Sequence, residues 1–182
     1  QAATMIKEDP SKASEAFDEL LKGKNKKNAF LLVEIGRAYL DQGKTAEAAE
    51  YAQRAKDINS KCAVAYLLSG DIALNLNDVN KASSDYNQAI YLDEDCSEAY
   101  FKYAQVYKGV DPQLSLDMLM RLQSKTPEDN RISKELADVY YTMGQYGKAK
   151  EAYENYLKVG TPTEQDYTRY AMLLYLNKDY AQ

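Results

Sequence analysis

Apolar residues recur three and four positions apart along most of the chain, in blocks that short polar turns separate. In a clear example, the blocks at 32–39 and 48–55 flank the turn at 41–44. This spacing is typical of amphipathic α-helices, and no alternating stretch is long enough to indicate a strand. The pattern therefore predicts a helix, a turn and a second helix, repeated along the chain.

Small residues return at a fixed interval of 34 positions. Gly36, Gly70 and Ala104 form one series, and Ala137 and Ala171 continue it after a single interval of 33. A period of this length is the signature of stacked repeats, each of which needs a neighbour to cover its apolar face. The series predicts full repeats at 29–62, 63–96, 97–129 and 130–163, with partial repeats at 1–28 and 164–182.

The repeats resemble the tetratricopeptide repeat, whose period and helix-turn-helix unit they share. In the first full repeat, the family's positions hold Leu32, Ile35, Gly36, Tyr39, Gly43, Ala48 and Ala55. In two later repeats they hold Tyr66, Gly70, Ala82, Tyr86 and Ala89, and then Leu136, Ala137, Tyr140, Gly144, Ala149 and Tyr153. Tryptophan, which the family prefers at one position, is absent from the chain. The resemblance implies an all-α, right-handed solenoid that acts as a non-enzymatic scaffold for other proteins.

Capping residues mark the beginnings of several predicted helices. Asp9-Pro10 and Asp111-Pro112 each place an N-cap acceptor before a proline at the first helical position. The segment 161–164 predicts a capping box in which Glu164 is the reciprocal residue. In the third repeat the turn at 108–112 is one residue short and Ser115 replaces the usual alanine, which we interpret as a tightened turn.

Both ends of the chain fall inside a predicted repeat, so we expect it to be part of a longer repeat protein. The last helix, predicted at about 164–177, would then expose Tyr170 and Leu174. Exposed repeat ends favour self-association, because capping repeats normally carry a polar outer face. No targeting segment is recognisable, and the compartment stays open between cytoplasm and periplasm.

Composition argues against several classes of function. The chain has no histidine, so it has neither a Ser–His–Asp nor a Cys–His arrangement, and we expect no catalytic site, metal site or cofactor. Composition leaves a Ser–Lys pair open, although no motif supports one. A net charge of −5 without a basic stripe disfavours nucleic-acid binding, and no run is long enough to cross a membrane. Cys62 and Cys96 hold equivalent positions in adjacent repeats, too far apart for a disulfide, and are predicted to be free thiols.

A second stripe on the first helix of each repeat is the candidate partner site. In the tetratricopeptide family this stripe lines a concave groove in which peptides and partner helices dock. Carried over by position, the predicted groove stripe consists of Phe30, Val33, Arg37, Leu40, Val64, Leu67, Asp71, Leu74, Phe101, Gln105, Lys108, Arg131, Lys134, Asp138, Tyr141, Met172 and Tyr175. Some of these residues could instead pack on the neighbouring repeat.

The groove stripe runs from apolar residues to a mixed and basic end that contains Lys108, Arg131 and Lys134. This order predicts a protein or peptide partner with an apolar part followed by an acidic part, for which an amphipathic helix is suitable. Val33, Arg37, Leu67 and Asp71 do not reproduce the Lys and Asn clamp of the chaperone-adaptor members. The alternative hypothesis is a structural spacer or self-association element of a larger repeat protein, without a separate ligand.

Overall fold

The structure, a computed structural model, describes residues 2–177. Within this range the chain forms α-helices joined by short connections, with no strand. The helices are α1 (Ala2–Glu8), α2 (Pro10–Leu20), α3 (Ala29–Asp41), α4 (Thr45–Ile58), α5 (Ala63–Asn75), α6 (Val79–Leu92), α7 (Ser97–Tyr107), α8 (Pro112–Lys125), α9 (Asn130–Thr142), α10 (Tyr146–Val159) and α11 (Glu164–Leu176). A single 3-10 turn at Gly23–Asn25 connects α2 to α3.

The helices divide into two compact units, Gln1–Ala99 and Tyr100–Gln182. In the first unit α3 pairs with α4 and α5 pairs with α6, while α5 also packs against both α3 and α4. In the second unit α9 packs against α8 and α10, and α10 packs against α11. Helix pairs stacked in this way make an all-α solenoid of helix-turn-helix repeats, which confirms the predicted fold class.

The recurring small residues allow the helices to approach closely. A Cβ atom at Gly36 would lie 2.8 Å from Leu68 Cδ2, and one at Gly70 would overlap Cε1 in the ring of Tyr86. Tyr86 is fully buried, and its hydroxyl donates to Asp71 Oδ1 at 2.8 Å. The glycine therefore leaves the space that the tyrosine ring fills.

The interpretation of the third repeat as one with a tightened turn is wrong, because the missing residue is lost from a helix. Helix α7 ends at Tyr107 and has 11 residues, two fewer than the equivalent helices α3 and α5. Four residues then connect α7 to α8. Asp111 caps α8 by accepting from the Leu114 backbone N–H at 3.1 Å, as predicted. The buried Ser115 hydroxyl donates to the Ala104 carbonyl at 2.7 Å, so serine replaces alanine without leaving an unpaired polar atom. The predicted free thiols are also found, with Cys62 buried and Cys96 half-buried.

We expect Gly70→Ala to destabilise the protein by about 1–3 kcal/mol, the usual cost of overpacking a core. The added methyl group would overlap the ring of Tyr86, which is packed on all sides and cannot withdraw. Gly109→Ala is the matched control, because a Cβ there meets no atom within 4 Å and its φ is ordinary. Urea unfolding followed by circular dichroism measures both. Equal midpoints for the two variants would contradict the role assigned to Gly70.

Candidate functional site

In the first unit, most of the predicted groove stripe is used for packing. Val33 and Leu67 are buried, with 1% and 4% of their surface exposed, and Leu40, Val64 and Leu74 are half-buried. For Val33 and Leu67 the structure favours the alternative given above, in which stripe residues pack on the neighbouring repeat. The physical reason is that α3 packs directly against α5, so the stripe helps to form the contact between successive repeats.

The polar stripe residues of the first unit bridge the same two helices. Arg37 on α3 lies 3.8 Å from the Asp71 carboxylate on α5. The same carboxylate accepts the hydrogen bond from Tyr86, whose pKa is raised by burial and then by Asp71. Asp71 is thus held between a guanidinium and a phenol. Phe30 is the exception on this part of the stripe, with 64% of its surface exposed.

In the second unit, charged residues of the groove stripe form a network between the end of α7 and α9. The Lys108 ammonium donates to Glu135 at 2.9 Å and to Asp138 at 3.1 Å, and Gln105 donates to the other oxygen of Glu135 at 2.8 Å. Burial by itself lowers the pKa of Lys108, but the two carboxylates raise it by more, so the ammonium stays charged. Arg169 on α11 also lies 3.3 Å from Asp138.

A cavity of about 380 Å³ lies beside this network, between α9 and α11. Its apolar floor is made by the buried residues Ala137, Tyr153 and Leu173, and its exposed walls by Tyr141 and Met172. The remaining lining residues form a polar rim and are Lys108, Asp138, Thr142 and Arg169. We call this the α9–α11 cavity. It combines an apolar interior with a few polar groups, which is the usual composition of a ligand pocket.

Exposed apolar side chains extend the α9–α11 cavity along α11. Met172 and Tyr175 have 55% and 67% of their surface exposed, and the Tyr141 hydroxyl lies 3.9 Å from the Met172 sulfur. The residues expected to be exposed on this helix, Tyr170 and Leu174, are half-buried instead. Tyr170 packs back on α10, where its ring stacks on Tyr153 at 6.3 Å and its hydroxyl donates to Glu154.

The basic residues at this end of the stripe all have carboxylate partners. Lys134 pairs with Asp166 at 2.6 Å, and Arg131 pairs with Asp129 at 2.8 Å while its guanidinium lies over the ring of Phe101. Phe101, another residue of the groove stripe, lies beneath this guanidinium and is buried, with 7% of its surface exposed. Phe101 therefore joins the stripe residues that pack inside the protein.

Asp166 holds α11 against α9 and α10. Its carboxylate accepts hydrogen bonds from the hydroxyls of Tyr153 and Tyr156 at 2.9 and 3.2 Å, and from the backbone N–H and hydroxyl of Thr163 at 2.8 and 2.9 Å. Burial alone would raise the pKa of Asp166, but the donors, Lys134 foremost, hold it far below its usual range. The capping box of α11 is thus Thr163 with Asp166, and the predicted reciprocal role of Glu164 is wrong.

Sequence reasoning missed Glu135, Arg169 and Asp166, although they fix the electrostatics of this site. Glu135 and Asp138 lie 27 and 30 positions from Lys108, off the repeat period, so the period gives no signal for these pairs. Asp166 could have been found from the sequence. If the capping box is taken to begin at Thr163, the residue three positions later is the acidic Asp166, which satisfies the same rule.

The structure also brings a lysine and a serine together in the first unit. The Lys56 ammonium donates to the buried Ser69 hydroxyl at 3.1 Å, and that hydroxyl donates to Asp85 at 2.7 Å. Ser69 has 6% of its surface exposed, so this group lies within the helix packing and not in an open cleft. Lys81 also donates to Asp85, so the group links α4, α5 and α6.

Neither a metal site nor a membrane span is found in the part of the chain that the structure describes. Residues 2–177 contain no group of three or more Cys, Asp or Glu side chains placed to hold an ion. In the same range, every helix is too short or too polar to cross a bilayer.

Comparison with known proteins identifies the repeats. Sequence models described as tetratricopeptide repeat match residues 7–61, 63–96 and 135–159, and together these segments make up more than half of the chain. The unmatched stretch between 96 and 135 contains the short third repeat. No curated protein sequence matches the chain.

Solved structures share the fold at low sequence identity. PilF of Pseudomonas aeruginosa is 22% identical over 87% of this chain and 72% of its own, with a TM-score of 0.78. MamA from Desulfovibrio magneticus RS-1 is 19% identical over 84% of this chain and 86% of its own, with a TM-score of 0.74. A thermophilic TPR protein from Thermus thermophilus is 18% identical over 90% of this chain and 89% of its own, with a TM-score of 0.71.

We expect Asp166→Asn to lower the free energy of unfolding at pH 7 by about 1.5–3 kcal/mol, because it removes the charge of a buried carboxylate that accepts several hydrogen bonds. Since the folded-state pKa of Asp166 is depressed, its ionisation stabilises the fold above the unfolded-state value of about 3.9. That contribution decreases as the pH falls below this value towards the folded-state pKa. The difference between wild type and variant should therefore be constant above about pH 5 and shrink as the pH falls below about 4. Denaturant unfolding at several pH values measures it.

Glu164→Gln is the control for this prediction, because Glu164 is an exposed carboxylate on the same first turn of α11. We expect its effect to stay within about 0.5 kcal/mol. A larger loss for Glu164→Gln than for Asp166→Asn would restore the capping box that the sequence predicted.

Proposed function

Because this chain belongs to the tetratricopeptide repeat family, a family of protein-interaction scaffolds, we propose that a partner segment binds at the α9–α11 cavity. The observation that carries the proposal is an apolar cavity of about 380 Å³ whose walls continue into the exposed side chains of Met172 and Tyr175. Large exposed apolar side chains clustered around a cavity are typical of interaction sites.

The side chains of the α9–α11 cavity are well suited to a protein partner. Methionine is flexible and polarisable and adapts to different apolar partners, and tyrosine adds a rigid apolar face with a hydroxyl at its tip. Met172 supplies the first kind of contact, and Tyr141 and Tyr175 supply the second. Leu173 and Tyr153 beneath them are locked by packing, so an apolar anchor would enter a cavity with a fixed floor.

An amphipathic helix or a short peptide is the form of partner that fits this arrangement. Helical partners present anchors at positions i, i+3, i+4 and i+7, and successive anchors would meet the α9–α11 cavity and then the exposed turn at Tyr175. The sequence predicts that the partner also has an acidic part, which would contact Lys108, Arg131 and Lys134. These three cations already have carboxylate partners within the chain. We therefore infer that apolar contacts supply most of the affinity.

We also infer a non-enzymatic role, which the family membership supports. The lysine and serine that the structure brings together, Lys56 and Ser69, have their protons committed to a structural link between helices. Ser69 is buried between these helices, which supports a structural role for the pair.

Peptides selected from a random displayed library against the intact chain should lose affinity by about tenfold or more with Met172→Ala or Tyr141→Ala, the effect of removing a central apolar anchor. Fluorescence anisotropy with the selected peptides measures the change. Tyr167→Ala is the matched control, because Tyr167 is an exposed aromatic residue on the same helix that does not line the cavity. Peptides that bind all three variants equally would show that the site lies elsewhere.

Neutralising any acidic residues of the selected peptides should change their affinity by less than about threefold, because the basic rim is already paired and an exposed ion pair contributes about 0–1 kcal/mol. The measurement is the same anisotropy assay with glutamine and asparagine analogues. A tenfold loss on neutralisation would instead support the acidic partner segment that the sequence predicts.

A further inference from the structure

A compact basic loop connects α2 to α3 at residues 22–28. It contains Lys22, Lys24, Lys26 and Lys27 in a chain whose net charge is −5. Lys22 pairs with Glu19, whereas the other three lysines are exposed and have no ion pair among the described residues. Unlike the cations of the α9–α11 cavity, these three charges form no ion pair within residues 2–177.

The basic loop is ordered and lies beside exposed apolar surface. The Asn25 side-chain amide donates to the Leu20 carbonyl at 3.0 Å, and the Asn28 backbone N–H donates to the Asn25 carbonyl at 3.0 Å. A cavity of about 450 Å³ adjoins the loop, lined by Lys24, Lys27, Asn28, Ala29, Phe30, Ile58 and Asn59. The lysines are therefore carried on a fixed backbone next to an exposed aromatic ring.

An acidic loop of the same unit, at 93–96, has the complementary composition. Asp93, Glu94 and Asp95 are consecutive and exposed, and Tyr91 beside them has 79% of its surface exposed. The Asp93 carboxylate accepts from the Asp95 backbone N–H at 3.0 Å, which fixes the loop. Each loop thus combines charges of one sign with an exposed aromatic residue.

Both loops lie at one edge of the first unit. Helices α1, α3 and α5 pack side by side, and each is followed by a helix that returns, so the connections at 22–28, 59–62 and 93–96 come to the same end. The cavity lined by Phe30 and Ile58 shows that the first two are neighbours. The connections at 59–62 and 93–96 begin with the same backbone conformation, with Asn59 at φ −140°, ψ 95° and Asp93 at φ −146°, ψ 99°. We call this end the loop edge.

The two charged loops are too far apart to neutralise each other. Two repeat spacings separate them, and helices pack about 8–10 Å apart, so the distance is roughly 20 Å. That exceeds the screening length of about 8 Å at physiological ionic strength, and each loop therefore acts as a separate local charge. The loop edge is positive at one end and negative at the other, with the exposed Lys61 as a single positive charge between them.

We propose that the loop edge is a two-fold interface between two copies of this chain. When a second copy is turned end for end against the first, each basic loop faces the acidic loop of the other copy. Phe30 of each copy then lies near Tyr91 of the other, and the 59–62 connections meet near the axis. Both contacts form at once and the interface closes on itself, as isologous dimers do.

A second copy satisfies the loop edge better than any surface with charge of one sign. An anionic membrane or an acidic protein would attract the basic loop but repel the acidic loop on the same edge. Only a surface with the reverse order of charges pairs with both, and a second copy presents one. Exposed ion pairs contribute about 0–1 kcal/mol each, so the dimer should be weak and sensitive to salt. It does not depend on the function proposed for the α9–α11 cavity.

Analytical ultracentrifugation of the intact chain over a range of concentrations tests the dimer. We expect self-association that weakens by about tenfold or more when NaCl rises from about 50 to about 500 mM. Two reversal variants, Lys24→Glu with Lys27→Glu and Glu94→Lys with Asp95→Lys, should each be monomeric, because like charges would face each other. Mixing the two should give a heterodimer, and one chain that carries all four changes should dimerise again.

Glu15→Lys with Glu128→Lys is the control for net charge, since both residues are exposed, lie outside the loop edge and change the charge by the same amount as the acidic-loop variant. Circular dichroism should show unchanged thermal midpoints for all variants. A monomeric wild type, a dimer that survives either reversal, or reversal variants that stay monomeric when mixed would overturn the proposal. Binding of a monomeric wild type to phosphatidylserine vesicles, lost on reversal of the lysines, would assign the basic loop to a lipid surface instead.

Discussion

The close approach of successive helices at small residues is the constraint on which this structure depends. At Gly70 the space that a side chain would occupy is filled by the ring of Tyr86, and at Gly36 it is filled by Leu68. The first contact joins the two helices of one repeat and the second joins successive repeats. A large residue at either glycine would therefore separate helices that bury each other's apolar faces. The 34-residue period of the sequence is the trace of this packing requirement.

That requirement also explains which features the sequence could predict. Small residues must recur wherever helices touch, so their series gives the fold class and the family, and both predictions are confirmed. The accessibility of the groove stripe depends on how closely α3 meets α5, which no spacing rule supplies. Val33 and Leu67 satisfy the stripe pattern and are nevertheless buried. The pairs of Lys108 with Glu135 and Asp138 fall off the period, and sequence periodicity therefore could not find them.

Charge has a different role in each of the two units. In the second unit Lys134, Asp166 and their neighbours are neutralised in pairs, and these pairs fix the orientation of the helices that border the α9–α11 cavity. Electrostatic attraction there is already used, and the cavity offers mainly apolar surface to a partner. In the first unit Lys24, Lys26 and Lys27 are ordered but unpaired among the described residues, so their electrostatic free energy remains available for association.

Separating these two kinds of surface has a consequence for a scaffold. The affinity of binding in an apolar cavity depends weakly on salt concentration, whereas the affinity between exposed charged loops depends on it strongly. Partner binding at the α9–α11 cavity and self-association at the loop edge would then respond to different conditions, because they draw on different interactions. A change at Met172 should alter the first alone, and a change at Lys24 should alter the second alone, since the two residues belong to different units.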